Sequence, residues 1–196
     1  MSKRILTVFV LVGSLVLPGL GLGSAHAYPP RDKLSVKFSQ IFIKPETGKT
    51  ILTISNACPG AVKVLKGTSF YTKLNASQGF GKVLFGNVPS GKYKVTVQSC
   101  SEAVSQLVYA PSFSAPPSAK ISKTNTFTVK YVPQKTSIVL FINGKKYGSQ
   151  PMPSSGTALF NVKKKTLKLK KNVLSLTVGV SRGQKVILTD TIIGTK

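Results

Sequence analysis

The 196-residue sequence has no tryptophan, two cysteines, two methionines, one histidine and four acidic residues. Each shortage excludes some chemistry. His26 lies in an amino-terminal stretch that reads as a removable leader, so the remainder has no histidine for a catalytic triad or a zinc site. Asp32, Glu46, Glu102 and Asp190 stand in four separate segments, and no two share a motif for a paired acid and base or a calcium cage. No window of useful length repeats its apolar residues at helical spacing, so the helix that a glycine-rich phosphate cradle needs is missing too. Serine and lysine are plentiful, but no motif pairs them for catalysis. No catalytic residue, no metal site and no cofactor is expected, and the chain is read as non-enzymatic.

Long apolar runs are equally scarce. One begins at Ile5 and ends at Leu17, broken only by Thr7, Gly13 and Ser14, behind the positive pair Lys3-Arg4. It is shorter than the roughly 20 residues a membrane-spanning helix needs. Ala25-His26-Ala27 then supplies an A-x-A cleavage site before Tyr28. Residues 1–27 are read as a signal peptide cleaved after Ala27, so the protein is expected to be secreted or associated with the cell envelope. No cysteine sits at the cleavage site, no second apolar span follows, and Ile192-Ile193-Gly194-Thr195-Lys196 is not a sorting motif. The mature protein is therefore expected to be released rather than embedded.

Positive charge is abundant. There are 28 lysines and arginines, and 26 remain once Lys3 and Arg4 leave with the signal peptide, against four acids. Of these only Arg31 and Arg182 are arginines. A lysine field attracts polyanions without the forked geometry by which arginine shapes a phosphate or base site. Arginine and interleaved aromatics are both too few for a specific nucleic-acid site. The densest run holds Lys163, Lys164, Lys165, Lys168, Lys170 and Lys171, with Leu167 and Leu169 between them. Alternation predicts a strand with both leucines inward and a cationic outer edge. Two readings stand for it: a lysine edge that blocks strand-to-strand aggregation, or a docking strip for an anionic cell-wall polymer, acidic polysaccharide or anionic membrane surface.

Cys58 and Cys100 each follow a strand-like run, and in an exported chain they are expected to pair as a disulfide. Two buried free thiols are the alternative.

Strand signals recur along the chain with turns every eight to twelve residues, as a sandwich requires. Gly81-Lys82-Val83-Leu84-Phe85 and Tyr93-Lys94-Val95-Thr96-Val97 alternate, with Val88-Pro89-Ser90-Gly91 between them, and are read as a hairpin. The pattern G-x-x-x-F-x-x-V-P-x-G-x-Y-x-V-x-V resembles the prealbumin-like repeats of bacterial surface proteins, the carboxypeptidase-regulatory-like and collagen-adhesin B-type domains. That resemblance implies a seven-stranded sandwich with this hairpin as its central pair. Some collagen-adhesin-type domains also cross-link a lysine to an asparagine beside an acid; Lys37 or Lys44, Asn87, and Glu46 or Glu102 are the residues to inspect.

Residues 111–123, rich in proline, serine and alanine, are read as a linker. Beyond them Ser137-Ile138-Val139-Leu140-Phe141-Ile142 is a strand, and Asn143-Gly144 is a strong turn signal. The order V-L-F-I-N-G-K-K-Y-G, S-G-T-A-L-F-N-V, L-S-L-T-V resembles bacterial immunoglobulin-like repeats.

The expected fold class is thus all-β, two small sandwiches in tandem: a flexible lead-in over 28–34, a prealbumin-like domain over 35–110 and an immunoglobulin-like domain over 124–193. The halves do not read as copies of each other. The function read from this is adhesion or scaffolding at the cell envelope through the lysine surface. The alternative is an accessory module that binds a carbohydrate or protein through sandwich-end loops, which an exposed cluster of Tyr71, Tyr109, Phe113 and Tyr147 would favour.

Overall fold

The computed structural model describes residues 32–76, 78–116, 118–179 and 185–196. The expected signal peptide lies outside these described residues.

Alternation builds the first half. In β1 (Ser35–Phe38) and β2 (Lys49–Ser55) every second residue is buried, among them Val36, Phe38, Leu52 and Ile54. β3 (Ala61–Lys66) buries Val62 and Val64, and β4 (Ser69–Asn75) runs back beside it. β5 (Gly81–Gly86), β6 (Gly91–Ser99) and β7 (Glu102–Ala110) complete seven strands. They form two sheets, ordered β1-β2-β5 and β4-β3-β6-β7. Phe38, Leu52, Ile54, Val64, Phe85 and Val97 fill the space enclosed by the two buried faces.

The stretch read as a hairpin is not one. β5 pairs with β2, while β6 pairs with β3 and β7, so the connection crosses from one sheet to the other. Both strands have one buried face, and that pattern is the same whether the strands lie side by side or face one another across a core. The corner between them decides the outcome. Val88 is buried at 3% exposure, and the Tyr93 hydroxyl donates to the Pro89 carbonyl at 2.7 Å. A tyrosine near the start of the sixth strand that bonds a few residues upstream is the tyrosine corner of immunoglobulin-type sandwiches.

The second half repeats this plan. β8 (Ser112–Ser114), β10 (Asn125–Lys130) and β13 (Thr157–Val162) form one sheet, ordered β13-β10-β8. The other holds β9 (Ser118–Lys120), β11 (Ser137–Ile142), β12 (Lys145–Pro151), β14 (Lys171–Gly179) and β15 (Lys185–Thr195), ordered β12-β11-β14-β15-β9. Strand for strand, β2 to β7 correspond to β10 to β15. The expectation that the halves differ in plan is therefore corrected.

A tyrosine makes the likeness concrete. Tyr71 is the third residue of β4, and its hydroxyl donates to Leu84 O at 3.3 Å and accepts from Gly86 N at 3.4 Å. Tyr147, third in β12, donates to Asn161 O at 2.8 Å and accepts from Lys163 N at 3.1 Å. The first hydroxyl ties β4 to the end of β5 and the second ties β12 to the end of β13, in each case across the two sheets.

The segment read as a linker over 111–123 contains β8 and β9, each the edge of a different sheet of the second sandwich. Pro111 and Pro116 stand outside both strands, just before β8 and between β8 and β9. The sandwiches also share a segment upstream. Ile43 packs into the first core, whereas Phe42, one residue before it, is 1% exposed within the second. Tyr109 fixes that segment: its N–H donates to Ile41 O at 2.8 Å and its carbonyl accepts from Ile43 N at 3.0 Å.

Cys58 and Cys100 are bonded, with their Cα atoms 6.1 Å apart. The bridge joins the β2–β3 connection, where the chain passes from one sheet to the other, to the β6–β7 turn of the four-stranded sheet.

Candidate functional site

Six lysines within the nine residues 163–171 repel one another, and the local fold answers that repulsion with fixed backbone bonds. β13 ends at Val162 and β14 begins at Lys171, so residues 163–170 are a loop that crosses between sheets. The expected strand does not form. Lys165 has φ 69°, which breaks the extended path. Leu167 is buried at 4% exposure, but Leu169 is 43% exposed rather than inward. Alternation failed here because β10, the strand β13 pairs with, begins opposite Val162, so nothing continues the ladder. All six lysines are exposed, and only Lys171 lies in a strand, one interior to its sheet.

Asn172 holds the loop. It is completely buried, and its amide NH₂ donates to Lys168 O at 2.8 Å and Lys170 O at 3.0 Å. Its side-chain oxygen accepts from Lys168 N at 2.9 Å and from the Asn143 amide at 2.9 Å. Asn143 in turn accepts from Val173 N at 2.9 Å and anchors the β11–β12 turn, where it and Gly144 have φ 49° and 78°. A buried amide with both donors used and two bonds on its oxygen fixes one arrangement. Two further bonds, Lys165 N to Ile121 O at 3.0 Å and Gly194 N to Lys170 O at 2.9 Å, tie the loop to its other neighbours.

These bonds gather further cations around the loop. Lys120 ends β9 opposite Thr195, Lys123 N donates to Lys120 O at 3.2 Å, and Lys145 opens β12 opposite Ile142. Lys120, Lys123, Lys145, Lys146 and Lys196 are all exposed. No acidic residue occurs between Glu102 and Asp190 in the sequence. Asp190, half-buried on β15 opposite Leu174, is the one acid of this sandwich among the described residues, so this end is a strongly cationic surface.

The equivalent corner of the first sandwich is different. There four residues, Asn87-Val88-Pro89-Ser90, join β5 to β6 and carry no lysine. Tyr93 bonds the carbonyl four residues upstream, the same offset at which Asn172 bonds Lys168 O. The Tyr93 phenol is pushed above its ordinary pKa, first by burial and then by the Glu46 carboxylate, and therefore stays a donor. Asn172 is not legible in the sequence, because a polar residue beside a run of six lysines reads as surface.

The other candidates separate. Tyr71 packs on Phe85 with ring centroids 5.0 Å apart, Tyr109 on Phe42 at 6.1 Å and Phe113 on Phe127 at 6.2 Å. Tyr71 packs against the first core and Tyr109, Phe113 and Tyr147 against the second, all half-buried, so the expected exposed cluster of the four does not form. Lys37, Lys44 and Asn87 are exposed, so they lack the shielded setting an amide cross-link between side chains would need. Among the described residues no group of three or more His, Cys, Asp or Glu residues is placed to hold a metal ion.

No family model matches the chain, and no curated protein matches it. Among solved structures, it is similar to the BSP domain of a biofilm-associated protein at 17% identity and TM-score 0.36, over 83% of this chain and 30% of that one. The C-terminal 282-residue fragment of intimin, in complex with the intimin-binding domain of its translocated receptor, is similar at 9% identity and TM-score 0.41, over 82% of this chain and 64% of that one. The fibronectin(III)-like modules of CbhA from Clostridium thermocellum are similar at 11% identity and TM-score 0.33, over 83% and 94% respectively. This chain thus spans about a third of the biofilm-associated structure's length. At these scores the likenesses carry no argument about what the chain does.

Proposed function

We propose that this chain is an exported, non-catalytic adhesion or scaffold protein of two immunoglobulin-like sandwiches, held on an anionic surface or polymer of the envelope by the 163–171 loop. The carrying observation is that six exposed lysines cluster at one end of the second sandwich, on a loop whose backbone the buried Asn172 holds at Lys168 and Lys170. Export rests on the leader pattern of residues 1–27, and the Cys58–Cys100 bond suits an oxidising compartment. The first half has the seven strands that the prealbumin-like resemblance implied but not its central hairpin, and the plan it shares with the second half supports reading both as immunoglobulin-like. The competing reading, protection of a strand edge, loses its premise because residues 163–170 are not a strand.

Replacing Lys163, Lys164, Lys165, Lys168, Lys170 and Lys171 by glutamine tests the proposal. At about 1 kcal/mol per lysine near an anionic surface, binding is expected to fall on the order of a hundredfold or more. Stability changes little, because exposed charges contribute about 1 kcal/mol or less each to folding. Replacing the same six by arginine is expected to leave binding nearly intact. Cosedimentation of all three proteins with purified envelopes, beside light scattering of each alone, reads the outcome. A glutamine variant that binds as the parent does but aggregates more readily would restore the edge-protection reading.

A further inference from the structure

The cationic end carries apolar side chains that a purely electrostatic site has no use for. Leu169, Val173 and Ile193 are 43%, 43% and 52% exposed. Leu169 stands between Lys168 and Lys170 in the loop. Lys171 and Ile193 are directly opposed on β14 and β15, and both are exposed, so they share the outer face of the sheet. Val173 follows two positions along that same face, and Gly194 N donates to Lys170 O, which holds the loop against the Ile193 end of β15. Lysines and exposed aliphatic side chains are therefore interleaved on one surface. The first sandwich has an exposed apolar pair as well, Ile51 opposite Leu84, with Lys37, Lys49 and Lys82 around it on the same sheet face, three lysines against the six of the loop.

A soluble polyanion gains little from exposed leucine and isoleucine. A bilayer surface rewards both features, since anionic headgroups lie above a boundary where apolar side chains leave water. Lysine suits that boundary, because its stem lies along apolar groups while its ammonium stays with the phosphates. We infer that this face docks on the headgroup layer of an anionic lipid bilayer, with the loop lysines on lipid phosphates and Leu169 and Ile193 inserted beneath them. The inference rests on the polyanion reading of the same loop and names its partner.

The test uses the mature chain, vesicles of phosphatidylcholine with and without phosphatidylglycerol, and soluble polyglutamate as the lipid-free polyanion. The expected result is sedimentation with phosphatidylglycerol vesicles only, part of which persists at high salt. The double variant Leu169→Ser, Ile193→Ser is expected to lose on the order of tenfold in vesicle affinity, the scale for removing partly buried aliphatic surface. The same variant should bind polyglutamate as the parent does, and an unchanged urea midpoint should show that it is folded. Equal vesicle binding by parent and double variant overturns the inference, as does equal binding to vesicles with and without phosphatidylglycerol. Binding to polyglutamate but not to vesicles overturns it too, while leaving the broader reading intact. Binding to neither overturns both.

Discussion

Replacing Asn172 by leucine is expected to destabilise the second sandwich by about 3 kcal/mol and to release the lysine loop. The side chain is completely buried and makes four bonds, two as donor and two as acceptor. Leucine is close in volume, so the loss is one of partners rather than of packing. Each buried polar group left unpaired costs about 1–3 kcal/mol, reduced where water reaches the loop backbone. Urea unfolding measures the first effect. Trypsin measures the second, because Lys163, Lys164, Lys165, Lys168 and Lys170 lie in a loop whose backbone is now fixed. Cleavage is expected within 163–170 of the variant under conditions in which the parent survives. Binding to polyanion should weaken as well, although every charge is retained, because the lysines no longer act from fixed positions.

Removing the Cys58–Cys100 bond is expected to lower the stability of the first sandwich by about 4 kcal/mol. The bond closes a loop of 42 positions, and chain entropy gives about that figure for a loop of this length. Small domains are stable by only about 5–15 kcal/mol, so this is a large share. The pair Cys58→Ala and Cys100→Ala should unfold at markedly lower urea, and reductant should do the same to the parent while leaving the variant unmoved. The Cys58 N–H to Ser99 hydroxyl bond at 2.8 Å remains in the variant and keeps the two ends near each other. Equal midpoints for parent and variant in the absence of reductant would mean that the bridge constrains nothing.

The strands were legible in the sequence because each carries its own alternation, as Leu52 and Ile54 in β2 or Leu174, Leu176 and Val178 in β14 show. The Asn143-Gly144 turn was legible too, since both residues adopt the positive φ that turn demands. Pairing was not. The β5–β6 corner needed the Tyr93 to Pro89 bond, which joins groups by geometry rather than by pattern. The common plan of the halves stayed hidden because the corresponding corners differ in length, four residues against eight. β8 and β9 read as linker in the sequence because three-residue edge strands are too short to show alternation. In the lysine run, Leu167 and Leu169 satisfied the strand pattern, yet a positive φ at Lys165 and the end of the β10–β13 ladder overruled it.

The most direct measurement of the proposed docking site follows backbone amide shifts of the labelled mature protein as polyglutamate is added. The expected result is a set of shifts concentrated in residues 163–171 and extending to Lys120, Lys123, Lys145 and Lys146. Lys37, Lys63 and Lys82 on the first sandwich should move little. Shifts of similar size over the lysines of both sandwiches would contradict the assignment, because the charge would then act as a diffuse field and the loop would hold no special place in it.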